Sequence, residues 1–106
     1  MSSIIPGTRQ FETAVYGTVF AARAAVVARL HVGDALILVP DPEDVDPPNV
    51  WVHAPGGDVV GHLPTDINRW MAARMLDGAR YRANVVSIGA PDTESWRRLC
   101  ISIHQL

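Results

Sequence analysis

Apolar side chains alternating with polar ones mark a strand with one buried face, and an apolar recurrence every three to four residues marks a helix. Both patterns occur along this chain. Phe11–Phe20 gathers the β-formers Val15, Tyr16, Val19 and Phe20 around Gly17, where a bulge or a close backbone approach is expected. Ala35–Val39 is a near-continuous apolar run between the Gly33-Asp34 turn and Pro40. Val50–His53 and Val59–Leu63 flank Pro55-Gly56-Gly57-Asp58 and predict a hairpin. Over Tyr81–Ile88, Arg80, Arg82 and Asn84 alternate with Tyr81, Ala83 and Val85. Trp96–His104 sets Leu99, Ile101 and Ile103 on one face and Cys100, Ser102 and His104 on the other.

Between the fourth and fifth strands the period changes. Ile67, Met71 and Met75 recur every four residues with Trp70 beside Met71, predicting a helix over about 65–77. Thr65 or Asp66 is expected to cap its start and Gly78 to stop it. Ala21–Leu30 (AARAAVVARL) is rich in the best helix former, which favours a second short helix over about 22–30; without an N-cap an extended conformation stays open. Residues 1–10 read as a flexible N-terminal arm with a Pro6-Gly7 turn, and residues 11–106 as one domain. The fold class that follows is mostly β (α+β): a small OB-like or SH3-like, partly open β-barrel of about six strands, one end plugged by the helix.

Composition narrows the function. The chain has 106 residues, 48% of them hydrophobic, and a formal net charge of −2. All nine basic residues are Arg; Lys is absent. This excludes a disordered tail and a basic, histone-like nucleic-acid coat. The single cysteine, Cys100, excludes an internal disulfide framework and a Cys-based zinc finger. The apolar stretch Ala14–Leu38 is broken by Arg23, Arg29, His31 and Asp34, so no membrane span is expected. The start of the chain lacks the features of a signal peptide, and a cytoplasmic protein is the expectation.

Catalytic signatures are missing. There is no Gly-x-Ser-x-Gly elbow, phosphate loop or dinucleotide fingerprint, and no enzyme activity is expected. His31, His53, His62 and His104 lack ligand spacing, and the acidic run Asp41, Glu43, Asp44 and Asp46 is interrupted by proline and fits no EF-hand loop. Neither a metal nor a cofactor is expected.

The order of the motifs carries a resemblance. Leu30-x-x-Gly33-Asp34-x-Leu36-x-Leu38 leads into the proline- and aspartate-rich loop 40–49, which closes on Asp46-Pro47-x-x-Val50-x-Val52. A glycine turn, Val60-Gly61-His62-Leu63-Pro64, a helix, Leu76-Asp77-Gly78 and a strand follow. In this order and spacing, over roughly Val15 to Ile103, the chain resembles the HIRAN domain family. The resemblance implies an OB-like barrel and capture of the 3′ end of single-stranded DNA, without chemistry of its own. It places Phe20 on the aromatic that stacks on a base, Asp46 on the carboxylate at the terminal hydroxyl, and His62 on the Gly-His-Leu element. The chain departs from the pattern at Val45, where the loop aromatic is expected, at Val19, where some members carry Arg, at Pro48-Asn49, which replace the usual Asn-Ala, and at Pro64-Thr65, where some carry Lys.

Each candidate also has a purely structural reading. Asp46 is either an acceptor for a ribose hydroxyl or the residue that makes the Pro47-Pro48 turn. Phe20 is a stacking platform or a core residue at a strand end. Trp51, flanked by inward Val50 and Val52, faces out and stacks on a base or a partner, or packs under a loop. His62 is a polar contact in a groove or a hydrogen-bonded histidine at a strand end. Arg80 and Arg82, with Arg97 and Arg98 on the last strand, form either a phosphate grip or a solvated face. The partner expected is DNA, a single strand or its 3′ end, bound weakly. The alternative is a protein partner in a DNA-processing or defence assembly, with this chain as its adaptor.

Overall fold

The computed structural model describes residues 4–106. The N-terminal arm expected over 1–10 thus lies in part outside the described residues; within them, Pro6-Gly7 forms the turn and Ile4 packs against the core. Six strands form one antiparallel sheet: β1 (Gln10–Ala14), β2 (Ala35–Pro40), β3 (Val50–His53), β4 (Val59–His62), β5 (Tyr81–Ile88) and β6 (Leu99–Gln105). The helices are α1 (Ala21–Ala28), α2 (Thr65–Leu76) and the single turn α3 (Ser95–Arg98). The spatial order is β1-β6-β5-β2-β3-β4.

The sheet curls until its two edges meet. Tyr16, just past β1, pairs with His62 at the end of β4: the Tyr16 amide donates to the His62 carbonyl at 2.8 Å, and the His62 amide donates back at 2.9 Å. A register shift between Val85 and Ser87 in β5, and another between Val52 and His53, supply curvature of the kind bulges give. Gly61 is what lets the edges close. A Cβ there would overlap the Tyr16 carbonyl and lie 2.7 Å from Val15 Cγ1. The result is the expected small barrel, open except at this one bridge.

The alternation in β6 is realised: Leu99, Ile101 and Ile103 are buried and enter one core with Val15, Val50, Val52, Val60 and Leu63. The face of α2 closes that core with Ile67, Met71 and Ala72, while Trp70 and Met75 pack at its edge. Trp70 stands against Phe11 with ring centroids 5.9 Å apart. The helix begins differently from the expectation. Pro64 is the N-cap residue and no side chain caps the helix, so Thr65 and Asp66 form its first turn instead. The carbonyl of Pro64 accepts the Ile67 and Asn68 amides, which leaves Asp66 where a carboxylate favours the helix dipole. At the other end Gly78 has φ +104°, its amide reaches the Met75 carbonyl and that of Ala79 reaches Arg74, a complete Schellman stop.

Two expected strands are shorter than predicted. β1 stops at Ala14 because its partner does: Ala14 faces Cys100, Val15 donates to the Leu99 carbonyl, and β6 begins there. Residues 15–20 then run as a connector into α1. Trp96–Arg98 are helical, not part of the last strand, so only Leu99–Gln105 pair.

Candidate nucleic-acid interface

The connector after β1 builds a surface patch. Gly17 takes φ +78°, a left-handed conformation that other residues adopt at a cost. A Cβ on it would sit 3.0 Å from a guanidinium nitrogen of Arg23 and 3.4 Å from His62 Cδ2, so the missing side chain is what lets both groups lie over the backbone. Thr18 is buried and its hydroxyl donates to the Ser95 carbonyl, tying the connector to α3. These restraints present Phe20 outward at the start of α1, 61% exposed. The core reading of Phe20 therefore does not hold.

Arg23, in the first turn of α1, organises the patch. Its guanidinium donates to the Gly17 carbonyl at 3.1 Å and lies over two aromatic rings, 4.9 Å from the Phe20 centroid and 5.5 Å from that of Trp51. Among the described residues no carboxylate pairs with it; the one ion pair found is His31–Asp34. Trp51 projects from β3 opposite Val50 and Val52, as the alternation predicts, and stands edge-on to His62 at 5.7 Å. Its indole N–H donates to Asp41 Oδ1 at 2.8 Å, so the loop contact expected for Trp51 is also made. His62 bonds its Nδ1 to the Leu63 carbonyl at 2.9 Å; since a carbonyl only accepts, Nδ1 carries the proton and Nε2 is left available. Tyr16 completes the set, 39% exposed with its ring 6.4 Å from His62.

Phe20, Trp51 and His62 are thus brought together, with Arg23 and Tyr16 added. Sequence reasoning missed these two. Arg23 sits in an alanine run that gives it no visible partner, and Tyr16 looks like one more β-former in an expected strand.

Asp46 is placed elsewhere. It is exposed, and with Val45, Pro42, Glu43 and Pro48 it lines a groove of about 450 Å³ against the outer side of α2, where Arg69, Ala72, Ala73, Leu76 and Asp77 form the other wall. A hydroxyl pocket shared by Phe20 and Asp46 at the first strand is not what this groove provides. The carboxylate that organises the proline loop is Asp41. Its Oδ2 accepts the Asn49 amide at 2.8 Å while Oδ1 holds Trp51. The first acidic residue after β2 was a readable signal, since it is the one close enough to fold the loop back on β3.

The arginines divide between the two ends of the barrel. Arg82 faces His104, which faces Gln10 at the start of β1; Arg80 adjoins it, its carbonyl accepting the Leu106 amide. Arg97 and Arg98 lie at the other end of the β5–β6 ladder, which runs from Tyr81 opposite Gln105 to Ile88 opposite Leu99. At about 3.3 Å per residue this separates the pairs by roughly 20 Å, so the four do not share a surface. The patch is at the Arg97 end, next to α3. Arg98 is engaged there with the Gly89 carbonyl, and Arg97 is exposed.

Among the described residues, no group of three or more His, Cys, Asp or Glu side chains has metal-holding geometry, and no helix is long and apolar enough to cross a membrane. No family model, no curated protein and no solved structure matches this chain.

Proposed function

We propose that the protein is a non-catalytic module that binds single-stranded nucleic acid, DNA by its resemblance to the HIRAN family, on the patch of Phe20, Arg23, Trp51, His62 and Tyr16. The observation that carries this reading is Arg23: a guanidinium held over two aromatic rings, with no carboxylate partner found for it among the described residues. A base stacks on an exposed ring whatever its identity, and a phosphate takes a guanidinium left unneutralised. Arg97 on the neighbouring turn supplies a second cation. The absence of Lys leaves little diffuse attraction, so binding is weak and set by these local contacts. Internal strand binding is favoured over end capture, because Asp46 lines a different groove from the aromatic patch.

Fluorescence anisotropy with labelled single strands tests the reading. Phe20→Ala is expected to cost about 1–3 kcal/mol of binding, and Arg23→Ala to weaken binding and flatten its salt dependence. Binding that is undetectable at low salt, or indifferent to both substitutions, overturns it. Equal affinity for 3′-hydroxyl and 3′-phosphate strands is the expected result; a clear preference for the hydroxyl would restore end capture.

The adaptor reading draws support from one observation. In the groove beside Asp46, Val45 is 39% and Leu76 48% exposed, and Glu43, Asp46 and Asp77 line the same groove. This surface repels phosphates and suits a protein segment. Co-purification of a stoichiometric partner, lost on Leu76→Ser, would support it.

A further inference from the structure

We propose that the groove between β1 and the first turn of α2 is a base pocket for a strand lying on the patch, and that it selects bases bearing an exocyclic amino group over thymine. The inference rests on the nucleic-acid reading above and adds a specificity to it. The groove has a volume of about 980 Å³, ample for one nucleotide. Tyr16 belongs both to its lining and to the patch, where its ring meets His62. A strand crossing the patch therefore reaches the groove at its next contact. Tyr16 and Trp70 supply aromatic wall, and Pro64 and Ile67 supply apolar surface.

The polar lining sets the selection. Glu12 on β1 and Asp66 on α2 face the same groove, and both are exposed. Ionised carboxylates only accept hydrogen bonds. They repel a phosphate but receive the amino hydrogens of cytosine, adenine or guanine. Thymine offers one edge donor, its N3–H, set between two carbonyl oxygens that meet a carboxylate with like polarity. Arg69, which also borders the groove beside Asp46, lines this one and is the cation that would take the phosphate of the inserted nucleotide, keeping the carboxylates for the base.

The test compares labelled oligodeoxycytidine and oligodeoxythymidine, each of about ten residues, against the full chain and its Glu12→Gln/Asp66→Asn variant at equal salt. Both substitutions are at exposed positions, and a melting curve verifies that the variant folds. The cytidine strand is expected to bind at least about fivefold tighter to the native chain, the low end of what a good polar contact to a base discriminates. In the variant the preference is expected to fall within about twofold, below the roughly fivefold that one good base contact discriminates. Equal binding of the two strands by the native chain, or a preference that survives in the variant, overturns the pocket while leaving the patch standing. Failure of both strands to bind overturns the nucleic-acid reading itself.

Discussion

Gly61 fixes how closely the two edge strands approach, and it does so by lacking a Cβ rather than by any unusual torsion. Gly61→Ala drives a methyl into the Tyr16 carbonyl and Val15. Overpacking at such a contact costs about 1–3 kcal/mol, read as a shift in the urea midpoint. Because Tyr16 and His62 must separate, nucleic-acid binding is expected to fall with it. Asn68 is the other decisive residue, and it is buried. Its Oδ1 accepts the Val50 amide at 2.9 Å and its Nδ2 donates to the Leu63 carbonyl at 2.8 Å and to Asn49 Oδ1 at 3.0 Å, joining α2 to both strands of the hairpin. Asn68→Ala leaves the buried Val50 amide unpaired, at about 1–3 kcal/mol, while the Leu63 carbonyl keeps its bond from His62 Nδ1. Chemical denaturation should show this loss with an unchanged slope. In the sequence Asn68 looks like a surface position beside the Ile67–Met71 stripe, since periodicity counts apolar side chains and is blind to a polar one that caps strand ends.

The alkaline behaviour also belongs to single residues. Burial pushes the Tyr81 phenol up, Arg74 drawing it part of the way back, and burial with the nearby Glu12 charge raises the Cys100 thiol, partly offset by a hydrogen bond from Ser87. A raised pKa means that the folded state holds the proton more tightly. The stability is therefore present below the ordinary range of these groups, about 8.5 for a thiol and about 10 for a phenol, and is lost as pH rises through it. With no Lys in the chain, this loss is not masked by ammonium titration. Tyr81→Phe also removes a buried hydroxyl for which no partner is found among the described residues. It is expected to leave stability at neutral pH within about 1 kcal/mol and to shrink the fall in melting temperature above pH ~10.

At the scale of elements, the clearest features were those whose signal is local. The Ile67–Met71–Met75 spacing gives α2, and the glycine after it gives its end; Gly78→Ala forces a side chain into φ +104° and should cost about 1–2 kcal/mol, measured by thermal melting. The alternation of β6 and the 50–63 hairpin are equally local. What escaped the sequence depends on where a partner runs out. Val15–Phe20 has strand-forming composition, yet pairing with β6 stops where β6 begins, at Leu99, and the chain turns at Gly17 into α1. Trp96–Arg98 likewise reads as strand but lies beyond Ile88, the last residue of β5 available to pair. The candidate site shares this limit. Phe20, Trp51 and His62 could be singled out in the sequence. Their assembly around Arg23, and the separation of Asp46 from them, follow from the Gly17 turn and from Asp41 fastening the loop.

At the scale of the molecule, curling the sheet brings the two ends of the strand order together and gathers Tyr16, Phe20, Trp51 and His62 at that seam. Glu43, Asp46 and Asp77 line the groove outside α2 together with Arg69, while Arg23 stands at the seam and Arg97 on the adjoining α3. With Arg23 and Arg97 alone, the salt dependence of single-strand binding should have a logarithmic slope near −1.4, and near −2.1 for a strand that also seats a nucleotide against Arg69, at about −0.7 per phosphate. The most direct test of the seam as the binding surface is a nitrogen–proton correlation spectrum titrated with a single-stranded oligonucleotide. The indole N–H of Trp51 and the backbone amides of Gly17, Phe20, Arg23 and His62 are predicted to shift together and saturate, while the amides of Asp46 and Leu76 stay fixed. Shifts confined to the Asp46 groove, or no shift at all, would contradict it.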